Sequence, residues 1–82
     1  MLLSLGVLTL KTKIMSRYYV NKNSQSNGDH EVHRENCSWL PETENRIYLG
    51  YYDNCKDAVK KAREHYSKVN GCYYCSNECH TS

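Results

Sequence analysis

The chain contains no phenylalanine and only one proline, one tryptophan and four glycines among 82 residues. Without Phe, its large apolar side chains are mostly the eight tyrosines, whose hydroxyls favour an edge position over a dry interior. Chains below roughly 70 to 80 residues rarely hold together on one hydrophobic core, so a cross-link, a metal or a partner is expected here. A charge excess of one sign is also missing. Of the 11 basic residues, Lys11 and Lys13 precede Met15, which leaves nine basic against nine acidic from there onward. Bulk charge therefore excludes the strongly basic class that coats nucleic acid by electrostatics alone.

No apolar run is long enough for a membrane. The run over residues 1–10 is about half of the roughly 20 residues that cross a bilayer core. Its lysines follow the run instead of preceding it and no small-residue cleavage site comes after, so a secretory signal is not expected. Residues 1–14 read as a disordered or non-native arm with Met15 as the working start, and residues 15–82 as the domain. Neither a Ser/His/Asp set nor a carboxylate pair stands at interpretable spacing, so no catalytic residue is nominated.

Cysteine is what the chain has in quantity: five residues. An odd number leaves one thiol over in a disulfide framework, whereas a thiolate metal site in a reducing compartment needs no even count. That logic favours a metal and a cytoplasmic location, with a secreted disulfide-stapled domain as the alternative. Cys72 and Cys75 are spaced to grip one ion from a single turn, and His33 with Cys37 forms a second close pair upstream. Two close-spaced pairs from distant parts of a chain are the usual make-up of a tetrahedral zinc site. The local set Cys72, Cys75, Cys79 and His80 is a rival, as are mixed sets using Cys37 and Cys79. Adjacent Cys79 and His80 would reach one ion poorly, and the local set leaves His33 and Cys37 without a reason. A disulfide between Cys55 and Cys79 would be an added feature under oxidising conditions.

Around these donors the pattern is α+β. Residues 17–22 carry Tyr18, Tyr19 and Val20, and Asn27 Gly28 supplies a hairpin turn into a return strand over residues 30–34. His30 is read as surface, and Trp39 and Leu40 as core packed over the site. A third strand spans residues 46–52, with Ile47, Leu49 and Tyr51 on one face and Tyr48 and Tyr52 on the other. Asp53 or Asn54 caps a helix expected over residues 55–69, whose apolar stripe is Cys55, Ala58, Val59, Ala62, Tyr66 and Val69. Asn70 Gly71 ends it through a left-handed cap. The prediction is a small zinc-bound domain of about three strands, one main helix and a C-terminal cysteine knuckle, monomeric. Lys56, Lys60 and Arg63 lie on the helix's polar side, as a solvated face or as a phosphate-contacting one.

The order His33-x-x-x-Cys37, strand, helix with Ala58, then Gly71-Cys72-x-x-Cys75 resembles the N-terminal zinc-binding domain of Ada-type DNA-repair proteins and its short stand-alone bacterial relatives. The resemblance covers residues 30–75. It implies an α+β domain with one zinc, and in the family a zinc-bound cysteine accepts methyl groups from DNA phosphotriesters. The matching position here is His33. A zinc-bound imidazole is a poor methyl acceptor because the metal already holds its lone pair. The resemblance thus implies a non-enzymatic module that binds DNA or a protein, the alternative being an alkyl acceptor that uses Cys37, Cys72 or Cys75.

Overall fold

The computed structural model describes residues 14–81, so the expected N-terminal arm lies outside the described residues except for the exposed Ile14. Strand β1 (Ser16–Asn21) and strand β2 (His30–Arg34) form the expected antiparallel hairpin, with Gly28 in its turn at φ 93°. Strand β3 (Arg46–Tyr52) lies antiparallel on the other side of β1. Helix α1 (Cys55–Ala62) crosses one face, and strand β4 (Val69–Gly71) returns parallel to β2, giving the sheet order β3-β1-β2-β4.

The sheet has four strands where three were expected, and the helix is the reason. The apolar stripe was read as continuous to Val69, yet the helix stops at Ala62. Beyond it, Glu64 and His65 donate to the carbonyls of Lys61 and Ala62 in tightening turns. Tyr66 then stacks on His30, with ring centroids 3.6 Å apart and planes 5° from parallel. Residues 69–71 gain hydrogen bonds along β2 that a helical turn could not offer them. His30 is thereby half-buried, not surface, and its Nδ1–H donates to the Asn21 carbonyl at 2.9 Å. Lys68, freed from the helix, donates from Nζ to the Asn27 carbonyl at 2.7 Å.

The core beneath α1 comprises Tyr18, Val20, Val32, Leu49, Cys55, Ala58, Val59 and Ala62. At the helix start, Asn54 is the cap, its side chain accepting from the Asp57 N–H at 2.8 Å. On β3 the alternation changes hand midway. Tyr18 pairs with Gly50 while Tyr19 pairs with Tyr48, so one extra residue bulges out of β3. Gly50 accommodates the bulge at φ 138°, a conformation in which a side chain would be strained. Past the bulge the faces exchange, so Tyr52 packs on the core and Tyr51 is exposed, the reverse of strict alternation.

Trp39 also departs from expectation: it is 61% exposed and belongs to no core. Instead its ring stacks on Tyr74, with centroids 5.5 Å apart. None of the described helices is long and apolar enough to cross a membrane.

Candidate metal centre

The parallel pairing of β4 with β2 assembles the site. Glu31↔Asn70 and Val32↔Gly71 are in register, and the Cys72 N–H donates to the Val32 carbonyl at 2.9 Å, so the chain enters its knuckle beside β2. Within the knuckle the Ser76 N–H returns to the Cys72 carbonyl at 2.9 Å. On β2, successive side chains face opposite ways. Val32 enters the core under α1, and His33 is buried on the other side, under the knuckle. After β2 a turn closed by the Cys37 N–H on the Arg34 carbonyl brings Cys37 to the same place.

The four donors nominated from spacing meet there. One ligand atom from each of His33, Cys37, Cys72 and Cys75 lies within 4.8 Å of the others, and the Cys37 and Cys72 sulfurs are 3.8 Å apart. This group could hold a metal ion. Its electrostatics are prepared by backbone: the Arg34 N–H donates to the Cys75 sulfur at 3.2 Å and the Trp39 N–H to the Cys37 sulfur at 3.4 Å. Such donors favour thiolate charge.

The three thiols differ. Burial raises Cys75, but the His33 ring beside it, the Arg34 N–H and the Cys37 and Ser76 side chains outweigh burial and hold it at about 6, below its ordinary 9.0. Burial pushes Cys37 up to about 12, opposed by the Trp39 N–H and reinforced by Cys75. Burial likewise raises Cys72. His33 is 1% exposed, and neither ring nitrogen makes a formed hydrogen bond. Nε2 stands 3.7 Å from a carboxylate oxygen of Glu31.

The rival local set is dismantled by a disulfide. Cys79 is bonded to Cys55, which ties the turn Asn77–Cys79 to the first residue of α1. His80 donates from Nδ1 to the Gly71 carbonyl at 2.9 Å. The five cysteines thus divide into three beside His33 and two in a bridge, so the odd count leaves no spare thiol. A donor set that could hold a metal and a disulfide are therefore not alternatives in this chain. Cys55 is buried on the helix stripe as expected, but as half of a cross-link.

Lys56 and Lys60 on α1 and Arg63 at its C-cap are all exposed, and Lys56 and Arg63 flank a cavity of about 200 Å³ with Glu78 and Cys79. Sequence reasoning passed over Glu31. Its signal was available, because residues two apart on a strand share a face and Glu31 precedes His33 by two. It also passed over the surface made by Tyr73 and Tyr74, which are 57% and 68% exposed. Searched against family models, curated proteins and solved structures, the chain matches none.

Proposed function

We propose that the protein is a small zinc-binding module of the Ada-type metal-binding class, in which the metal is structural and the function is binding a partner rather than catalysis. The observation that carries this is the convergence of two donor pairs, far apart in sequence, on one partly buried point where the buried His33 ring, beside Cys75, makes no well-formed hydrogen bond. A buried polar group left unpaired costs about 1–3 kcal/mol, and a metal taking an imidazole lone pair removes part of that cost. Three sulfurs and one imidazole are a donor set that suits zinc. A tetrahedron with zinc–sulfur bonds near 2.3 Å has sulfur–sulfur edges of about 3.8 Å, the separation of Cys37 and Cys72. Four protein donors leave no open position for a bound water, which favours a structural ion over a hydrolytic one. The ion would fasten β2 to the end of β4 and contribute directly to folding.

Native mass spectrometry with metal analysis tests the reading, on the parent protein and on His33→Ala with Cys37→Ser. One zinc per chain, lost or weakened in the variant, is the expected result; a folded metal-free parent overturns it. Incubation with methylated DNA followed by intact mass removes the alkyl-acceptor alternative if no methyl is gained. For the partner, reversing the charges of Lys56, Lys60 and Arg63 weakens duplex association if α1 contacts phosphate. If the parent shows no association at low salt, the DNA branch is closed and a protein partner becomes the reading to test next.

The bridge between Cys55 and Cys79 favours a second reading of compartment. Such bonds persist in oxidising surroundings and are rare in the cytosol. An intact mass taken from native material without reductant separates a cytoplasmic module from a secreted one.

A further inference from the structure

Beside the metal group lies a cavity of about 430 Å³ that shares His33 and Cys72 with that group and is otherwise walled largely by aromatic rings outside the donor set. Trp39 and Tyr74 stack along one wall, with planes 22° from parallel. Tyr73 stands at 89° to Tyr74 with centroids 5.1 Å apart, and at 82° to His80 with centroids 5.5 Å apart, so the rings turn a corner. All four line the same cavity, and Glu31 lines it with them. No lysine or arginine does so among the described residues. Trp39, Tyr73 and Tyr74 are each more than half exposed, an unusual way to leave three large rings in a chain this short of apolar side chains.

We propose that this cavity binds an organic ammonium ion, methylated or quaternary, held over the faces of the rings with Glu31 as counter-ion. Ring faces carry negative quadrupole potential, and rings set at right angles offer it to one volume from two sides. Glu31 contributes a formal negative charge from a side chain that is only 16% exposed. A phosphate or carboxylate ligand would find no lysine or arginine in the wall and one carboxylate opposing it. The inference rests on the metal reading in one respect. Tyr73 and Tyr74 sit between Cys72 and Cys75, so an ion gripped by both cysteines holds the corner in shape, and zinc with three thiolates and one imidazole adds one net negative charge nearby.

Trp39 is the sole tryptophan, so fluorescence excited selectively at tryptophan comes from this wall, which Trp39 shares with a second cavity beside Cys37 and Cys75. The test titrates the purified protein, its zinc content measured on the same sample, with choline and with the neutral isostere 3,3-dimethyl-1-butanol. Choline should change Trp39 emission saturably, with a dissociation constant on the order of 1 mM, as two or three cation–π contacts and an ion pair imply. The neutral isostere should bind at least about tenfold more weakly, and Tyr73→Leu, Tyr74→Leu and Glu31→Gln should each weaken choline by about three- to tenfold. A peptide carrying trimethyl-lysine that binds tighter than choline would identify a protein side chain as the source of the ammonium. Equal binding of choline and its isostere overturns the proposal. So does a zinc-loaded protein with no saturable response, which leaves the metal reading standing. A metal-free protein that still discriminates choline supports the cavity and overturns the zinc. A metal-free protein without response overturns both.

Discussion

Replacing Gly71 by alanine adds one methyl group at the point where β4 hands the chain to the metal knuckle. That methyl carbon would lie 2.6 Å from the Ser76 carbonyl oxygen and 2.7 Å from Cβ of Cys79, both well inside van der Waals contact. One side or the other has to move by most of an ångström, and both sides are pinned. Ser76 is bonded back to Cys72, and Cys79 is covalently joined to Cys55. On the strand side, Gly71 is in register with Val32, and the Cys72 N–H is held by the Val32 carbonyl. Overpacking a well-filled interior costs about 1–3 kcal/mol, and the obstacle here is backbone, which places this site at the upper end. In a domain of this size each kcal/mol moves the melting midpoint by roughly 4–8 °C, so a fall of about 12–24 °C is expected. Because Cys72 follows Gly71 directly, the same displacement should weaken zinc by about tenfold or more, read by competition with a chromophoric chelator. Circular-dichroism melts of the zinc-loaded, bridge-intact proteins measure the first effect. Repeating the pair in a Cys55→Ser, Cys79→Ser background completes a cycle, and the alanine should cost less there because the turn can yield. A midpoint unchanged within about 2 °C, well below the shift for 1 kcal/mol, would refute the close packing of the knuckle on β4.

Three further outcomes are expected. With Cys75 held at about 6 and Cys37 and Cys72 raised above their ordinary 9.0, zinc entering the metal-free site displaces two thiol protons, not three. Protons compete with the metal, so the apparent affinity rises with pH, with a log–log slope near two between about pH 7 and 8.5; a slope of three would mean that Cys75 is no more acidic than its neighbours. Removing the bridge frees a loop with ends 24 residues apart, which costs about 3–4 kcal/mol on the chain-entropy model. Zinc stoichiometry should be retained in that variant, and its loss in metal analysis would show that the bridge and the metal site are a single unit. Asn54→Ala removes the cap of α1 and should lower stability by about 1 kcal/mol in denaturant titration; an unchanged midpoint would mean that the hydrogen bond from Asp57 to Asn54 contributes nothing.

Spacing alone picked out His33, Cys37, Cys72 and Cys75, because metal ligands must come in close pairs and the chain has two such pairs. The hairpin, the cap at Asn54 and the buried stripe of Cys55, Ala58, Val59 and Ala62 were legible for the same kind of reason: each depends on neighbours within a few positions. Other features did not depend on neighbours, and those were misread. Tyr66 and Val69 satisfy the helical period, yet ring stacking on His30 and a parallel hydrogen-bonding partner in β2 reward a different conformation. One inserted residue, Leu49 beside Gly50, was enough to exchange the faces of Tyr51 and Tyr52. An indole has the hydrophobicity of a core residue, so Trp39 was assigned to the interior, although its partner Tyr74 stands on the surface 35 positions away.

The sequence by itself therefore determined which atoms could meet a metal and that the chain needed a fastening beyond its small core. Tertiary structure decided how they meet. The hydrogen bonds of β4 to β2 are non-local and carry no periodic signature, and together with the Arg34 N–H on the Cys75 sulfur they set the knuckle against His33. The fold also joins Cys79 to Cys55, so that the five cysteines form a bridge and a donor set that could hold a metal, where counting had offered a choice of one.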